Sequence, residues 1–320
     1  MTVGPDPTAK SLDDQPLVSA IITTHDRPAY LTQAAKSVAD QTYDNLELVV
    51  VDDCSNEPAH ETLSDVDLAG LVDHRMVRHQ TNKGANAARN TGIAAASGVY
   101  LAFLDDDDRW LSDKIEKQVA ALEASESAVA YTGIRGVHDD GVEVQIPQKI
   151  HGDITKALLC RNVVGTMSVI MVRSSLAEDV QFDEAFPSWA DLEWYIRLSR
   201  RTTFERIPAP LVEYEFTSHS RLSDDFSKTK ESYDRFVSQF DSVAMEYGLL
   251  FRRKMRGWAA FRAGQSGFQA GQYGVARRFF SSAVASYPFE PRFVTHLCVS
   301  MGGPRVHHLV SAIRRQVVSG

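Results

Sequence analysis

From residue 17 onward, continuous apolar runs alternate with stretches whose apolar residues recur at helical spacing. LVSAIIT at 17–23 and LELVVV at 46–51 read as strands buried on both faces. VYLAFL at 99–104 and AVAYT at 128–132 read the same way. Between them, apolar positions 30, 31, 34, 35 and 38 trace one helical stripe, and Pro28 suits its first turn. An Ala-rich segment at 84–96 and a segment at 114–122 predict two more helices, with a weak strand at 76–79. Short strands alternating with helices predict an α/β fold, a parallel sheet flanked by helices.

The pattern loosens between 133 and 191, where 168–172 is the one good strand candidate and 192–200 looks helical. After residue 225 nearly everything reads as helix. Gly264, Ala276, Phe280, Ala283 and Pro288 fall at the small/large spacing of one tetratricopeptide-like hairpin. Such a unit cannot bury its own apolar face, so it should pack on the main domain or on a partner. Val306, Leu309, Val310, Ile313 and Val317 form a stripe on a final helix whose other face carries His307, His308, Arg314 and Arg315. The expected organisation is a loose arm at 1–16, an α/β domain at 17–225 and a helical extension at 226–320.

Charge sharpens that division. The chain of 320 residues has a net charge of −8, yet residues 241–320 hold eleven Lys/Arg against three Asp/Glu. A basic tail on an acidic body suggests that the C-terminal region faces something anionic. Three dispersed cysteines without C-x-x-C spacing argue against a disulfide framework or zinc site and make a reducing cytoplasm the expected setting. No apolar run reaches the ~18 residues of a membrane span, and the first residues lack the pattern of a signal peptide.

In an open parallel sheet, ligands bind beyond the carboxyl ends of the strands. Here those ends read Thr23-Thr24-His25-Asp26, Asp52-Asp53 and Asp105-Asp106-Asp107-Asp108. Four consecutive aspartates behind a buried strand call for a neutralising cation. An oxygen-only cluster suits Mg²⁺ or Mn²⁺ with positions left for substrate phosphates. Asp53 either closes a turn or accepts hydrogen bonds from a ribose or base. Lys83-Gly84, opening the next helix, forms a weak candidate anion cradle. The G-x-G-x-x-G fingerprint and the P-loop motif are both missing, which removes most support for NAD enzymes and P-loop NTPases.

Three segments then align with a known family in order: VSAIITTHDRPAYLTQAAKSVADQTYDNLELVVVDDCS, NKGANAARNTGI and GVYLAFLDDDDRWLSDKIEKQ. With FDEAFPSWADLEWYIRL they closely resemble the family-2 glycosyltransferases over roughly residues 17–221. The resemblance implies a GT-A fold, a Rossmann-like, mostly parallel sheet flanked by helices, that binds a nucleotide-sugar diphosphate with a divalent cation and transfers the sugar with inversion. It implies that Thr23 and His25 contact the base, that Asp53 binds the base edge and that Arg89 lies near the nucleotide. Asp105, Asp106 and Asp107 overlie the D-x-D element, with Asp107 as metal ligand. Asp191 matches the general base, Glu193 is its reserve, and His219 and Arg221 sit where a late loop closes over the diphosphate. An aromatic residue is common at the place of His25 and a glycine at that of Cys54, while Ala190 stands where an acid usually precedes the base.

No Q-x-x-R-W motif follows Asp191, so transfer of a single sugar is expected rather than processive synthesis. The implied partners are a nucleotide-sugar donor, UDP-sugars first, and a glycan or lipid-linked acceptor of cell-surface polysaccharide synthesis. No nucleic acid is expected. The basic final helix suggests peripheral contact with an anionic membrane from the cytoplasmic side, against the alternative that it packs on the helical hairpin. Two other classes are weighed: a catalytically silent nucleotide-sugar-binding subunit, and a pyrophosphorylase, whose glycine-rich loop after the first strand is missing.

Overall fold

The computed structural model describes residues 15–138, 141–145, 150–215 and 226–302. The basic amphipathic final helix expected at 306–318 and the candidates His219 and Arg221 lie outside them. The chain divides into two compact units that alternate along the sequence. One comprises residues 1–154, 163–184 and 197–217; the other comprises 155–162, 185–196 and 218–320. Two short segments from within the span 17–225 therefore group with the C-terminal helices.

The first unit is built on a nine-stranded sheet among the described residues, ordered β3-β2-β1-β4-β8-β6-β9-β5, with β7 on β6. β1 (Val18–Thr24), β2 (Leu46–Asp52), β3 (Asp73–Arg78) and β4 (Tyr100–Asp105) run parallel. Every residue of β2 is buried, as its β-branched Val49-Val50-Val51 run demands of a strand covered on both faces. Each such side chain contributes ~1.5–3 kcal/mol of transfer free energy. α1 (Pro28–Ala39) buries Leu31, Ala34, Ala35 and Val38. α3 (Ala85–Ala95), following α2 (Ala59–Thr62), presses so closely on β1 that a Cβ on Gly92 would stand 2.4 Å from Ile21.

Beyond β4 the sheet changes character. β5 (Asp108–Trp110), α4 (Lys114–Glu123) and the hairpin of β6 (Val129–His138) with β7 (Gly141–Gln145) come first. β8 (Ile170–Arg173) and α6 (Ser174–Asp179) follow, and β9 (Phe204–Glu215) completes the sheet. β8 is antiparallel to β4 and β6, β9 is parallel to β6, and β5 returns antiparallel on β9. β9, which the sequence pattern passes over, contains Pro208 and Pro210 inside a sheet. The ladder tolerates them through register shifts on either side of Gly133, opposite Pro210. The strand expected at 76–79 begins earlier, at Asp73, and that at 168–172 starts with a helical turn at Met167–Val169.

The second unit is helical: α5 (Thr155–Leu158), α7 from Ala190 (Ala190–Ser199), α8 (Phe226–Glu246), α9 (Leu249–Gln269), α10 (Tyr273–Ser286) and α11 (Pro291–Met301). Trp258, Phe261, Phe280 and Phe293 form its core with Ala276, Ala283 and Cys160. Gly264 lets α9 approach α10, because a Cβ there would meet the Phe280 ring at 2.7 Å. That is the small/large contact read from positions 264, 276, 280 and 283.

Candidate functional site

The parallel register brings the sequence candidates of the first unit to one edge. Thr23 lies opposite Val51 on one side and Asp105 on the other, and Thr24 lies opposite Asp52. Three strands therefore end level, each delivering oxygen-bearing side chains. Thr24, next to the nominated Thr23, reaches across with its hydroxyl to donate to Asp106 Oδ2 at 2.7 Å. Arg27 Nη1 donates to Asp106 Oδ1 at 3.0 Å and Asp107 Oδ2 at 3.1 Å. Arg89 Nη2 donates to Asp105 Oδ1 at 2.7 Å, with its guanidinium 5.7 Å from the Phe182 ring centre. His25 is exposed, 3.5 Å from Asp26.

Within the aspartate run the four carboxyls have different environments. Asp108 is fully buried, accepts from Ser168 Oγ at 2.5 Å, and is driven well above the ordinary carboxylate range by burial and then by Asp105. Burial likewise pushes Asp106 up to about 6, against the pull of Thr24 and Arg27. Asp105 and Asp107 keep side chains 30% and 34% exposed, so they are the two that can meet a ligand. Burial works against the charge of Arg27, but Asp106 and Asp107 outweigh it and hold the guanidinium above its ordinary value.

Among the described residues no three His, Cys, Asp or Glu side chains gather as a metal cage. The donor chemistry still fits Mg²⁺ or Mn²⁺, since such a cation takes one or two carboxylates and completes its shell with water and substrate phosphates. Asp107, with Asp105, would hold it.

Asp53 is occupied with its own loops. Its Oδ1 accepts from the Lys83 amide at 2.8 Å and sits 2.7 Å from His79 Nδ1, while Oδ2 accepts from the Gly84 amide at 2.7 Å. Burial raises the Asp53 carboxyl, yet these donors outweigh it and hold it below its usual value. The two amides read as a candidate anion cradle thus point to Asp53, and Lys83 itself is exposed. The loops after β1 and β2 are clamped together, since Asp26 accepts from the Asn56 amide at 2.6 Å and from its side chain at 3.1 Å. Asp26 and Cys54 both take left-handed backbone, φ 54° and 67°. The preference for glycine at the place of Cys54 has its physical reason there.

Asp191 and Glu193 belong to the helical unit. Trp189, at φ 60°, turns the chain into α7. Asp191 in its first turn accepts from the Leu192 amide at 2.7 Å and from Asn162 Nδ2 at 2.9 Å. A carboxylate at that position is favoured by the helix dipole. Glu193 is buried and accepts from Gln239 at 2.5 Å, so it faces α8. Sequence reading assigns no role to Arg27, Asn162 or Ser168 and names Thr24 only as part of the first strand's end. Arg27 had a signal, because four aspartates need a counter-charge and it directly follows the first strand end.

Aspartates and threonines thus share one edge of the sheet, with Arg27 and Arg89 paired to the aspartates. The model of glycosyl transferase family 2 matches residues 19–181, and the chain belongs to that family. It is 28% identical over 225 residues to the putative teichuronic acid biosynthesis glycosyltransferase TuaG of Bacillus subtilis (strain 168), covering 68% of this chain and 86% of that one. It is 26% identical over 226 residues to WfgD of Escherichia coli, a UDP-Glc:alpha-D-GlcNAc-diphosphoundecaprenol beta-1,3-glucosyltransferase, covering 69% and 85%. Among solved structures, S. aureus TarS 1–349 in complex with UDP-GlcNAc superposes with a TM-score of 0.62 at 18% identity, over 92% of this chain and 87% of that one. The fold is therefore that of the GT-A glycosyltransferases.

Proposed function

We propose that the chain transfers one sugar from a nucleotide-diphosphate donor, a UDP-sugar first, to an acceptor hydroxyl with inversion, in the synthesis of a cell-surface polysaccharide or lipid-linked glycan. The observation that carries this reading is the level convergence of Thr23–Thr24, Asp52–Asp53 and Asp105–Asp107 at one sheet edge. The named activities of TuaG and WfgD support the acceptor class, and the UDP-GlcNAc complex of TarS supports the donor class.

In this mechanism Thr23 and His25 bind the base. Asp53 acts from behind, holding the 82–84 turn in place. Arg89 orients Asp105, and Arg27 sets Asp107 at the donor diphosphate. Asp107, with Asp105, would hold a Mg²⁺ or Mn²⁺, which would supply positive charge against that of the departing nucleoside diphosphate. Asp191 takes the proton of the acceptor hydroxyl, its carboxylate oriented by Asn162 and the α7 amide.

Among the described residues no helix is long and apolar enough to cross a membrane. Peripheral contact through the basic amphipathic final helix rests on its sequence. The deciding experiment is a thermal-shift panel of UDP, GDP, dTDP and CDP, each with and without Mn²⁺. A nucleotide at 100 times its dissociation constant adds ~2.7 kcal/mol of stability. Stabilisation by one of them is the expected result. No response from any at millimolar concentration would overturn the donor site and leave a catalytically silent subunit as the better reading.

A further inference from the structure

The helical unit contains a charge that the mechanism above does not use. Arg262 projects from α9 with its guanidinium 4.8 Å from the ring centre of Trp189 and 5.8 Å from that of Phe236. Its Nη2 donates to the Cys160 carbonyl at 3.3 Å. Its Nη1 is shielded from solvent and has no hydrogen-bond partner among the described residues. A shielded donor left unsatisfied is costly, so an apolar residue of similar length would serve the packing better. The arginine needs another reason to be there.

Its contacts supply one. Cys160 lies two residues before Asn162, and Trp189 two residues before Asp191. Asn162 and Asp191 are hydrogen-bonded to each other. Arg262 thus ties together the two short segments that present the Asp191 carboxylate. Ser188 is fastened separately to Ser232 of α8, at 2.9 and 3.0 Å. The charged and titratable groups acting on Arg262 are Asp191 first and then the Cys160 thiol. Lys254, Arg161 and Lys156 act in turn on that thiol. Glu193, on the same helix as Asp191, is occupied with Gln239.

We infer that Arg262 is a positioning residue for Asp191: it clamps the 160–162 and 189–191 turns around the carboxylate and keeps it ionised for proton abstraction. This rests on Asp191 being the base. Burial, which pulls the Arg262 guanidinium down to about 10, leaves it charged at neutral pH.

The test uses the full chain labelled with [4-¹³C]aspartate, Asp191→Asn serving to assign the Asp191 resonance. In Arg262→Gln the midpoint of that resonance should rise by about one unit or more, and in Arg262→Lys it should return towards the wild-type value. A midpoint unmoved in Arg262→Gln overturns the inference. UDP release from UDP-GlcNAc and UDP-glucose, with water as acceptor, is followed in parallel. Wild-type turnover by Asp191→Asn would sink the base assignment and leave the coupling standing. An inactive Asp191→Asn with an unmoved Arg262→Gln midpoint would sink the coupling alone. If Arg262→Gln does not fold, the urea stability of wild type and Asp191→Asn is compared from pH 7 down to about pH 2, the range over which a depressed carboxylate loses its contribution. A steeper loss in the wild type as pH falls supports the inference, and parallel curves overturn it.

Discussion

Arg27 Nη1 stands between Asp106 Oδ1 and Asp107 Oδ2, at 3.0 and 3.1 Å, so a single guanidinium neutralises two neighbours of the aspartate run. One partner is buried and the other is half-exposed, which makes Arg27 the link between the sheet's interior and its ligand edge. Arg27→Met should lower the unfolding free energy by about 1–3 kcal/mol, the figure discounted because Arg27 is itself 35% exposed. Millimolar Mn²⁺ should restore part of that loss in the variant. Urea titrations with and without Mn²⁺ check this, and equal responses from variant and wild type would count against Asp107 as a cation ligand.

Asp107→Ala should leave the fold intact, because the Asp107 side chain is 34% exposed, and should remove the metal-dependent part of nucleotide affinity. Calorimetric titration with UDP in the presence and absence of Mn²⁺ measures it. Unchanged affinity would refute the ligand role.

Asp191→Asn is expected to lower sugar transfer by ~10²–10⁴-fold while nucleotide binding survives. The change keeps the side chain's shape and removes its basicity. Loss of nucleotide affinity in the same variant would place Asp191 among the donor-binding residues instead.

Asp53→Asn tests the loop-holding role. An amide cannot accept at both of its heavy atoms, so either the Gly84 amide or the pair formed by Lys83 and His79 loses its acceptor. The expected cost is about 1–3 kcal/mol. Hydrogen exchange should quicken across residues 80–86, and nucleotide affinity should fall with it. In the wild type, the stability that Asp53 contributes is present above its unfolded value and is lost as pH falls through its depressed folded value. Exchange unaltered in that turn would mean that the carboxylate acts on the ligand directly.

Lys114 gives a pH signature of the same sign in a higher pH window. It is fully buried, with Gln118 Oε1 at 2.6 Å and the Trp110 ring 4.0 Å away, and burial holds its ammonium well below the ordinary value. The unfolded chain binds that proton more tightly, so wild-type stability should rise with pH from the depressed folded value towards 10.5. Lys114→Met should match or exceed the wild type at pH 7 and lack the rise. A variant several kcal/mol less stable at pH 7 would show that the lysine's contacts outweigh its desolvation.

Much of this was legible in the sequence where chemistry and periodicity agree. The β-branched runs at 17–23, 46–51 and 99–104 announce strands buried on both faces, and the polar residues that end them mark the ligand edge. The partnerships are harder to read. That Asp53 faces the amides of Lys83 and Gly84 depends on a loop some 30 residues away, and no spacing rule reports it. β9 stayed hidden because Pro208 and Pro210 argue against an interior strand, and only the register shift at Gly133 accommodates them. Arg262 looks like one more basic residue on a helix; its role emerges only when the 160 and 189 turns are brought to it.

The pairing of β5 with β9 joins Asp108–Trp110 to Val212–Tyr214, more than a hundred residues downstream. Contacts of that separation form late, because a long loop must close before they contribute. On the ribosome, the far end of the aspartate run cannot be fixed until residue 214 has left the tunnel. The far end of the edge proposed for the donor is therefore among the last parts of the sheet to close, and a chain cut short before β9 would have Asp108 without the strand that pairs with it.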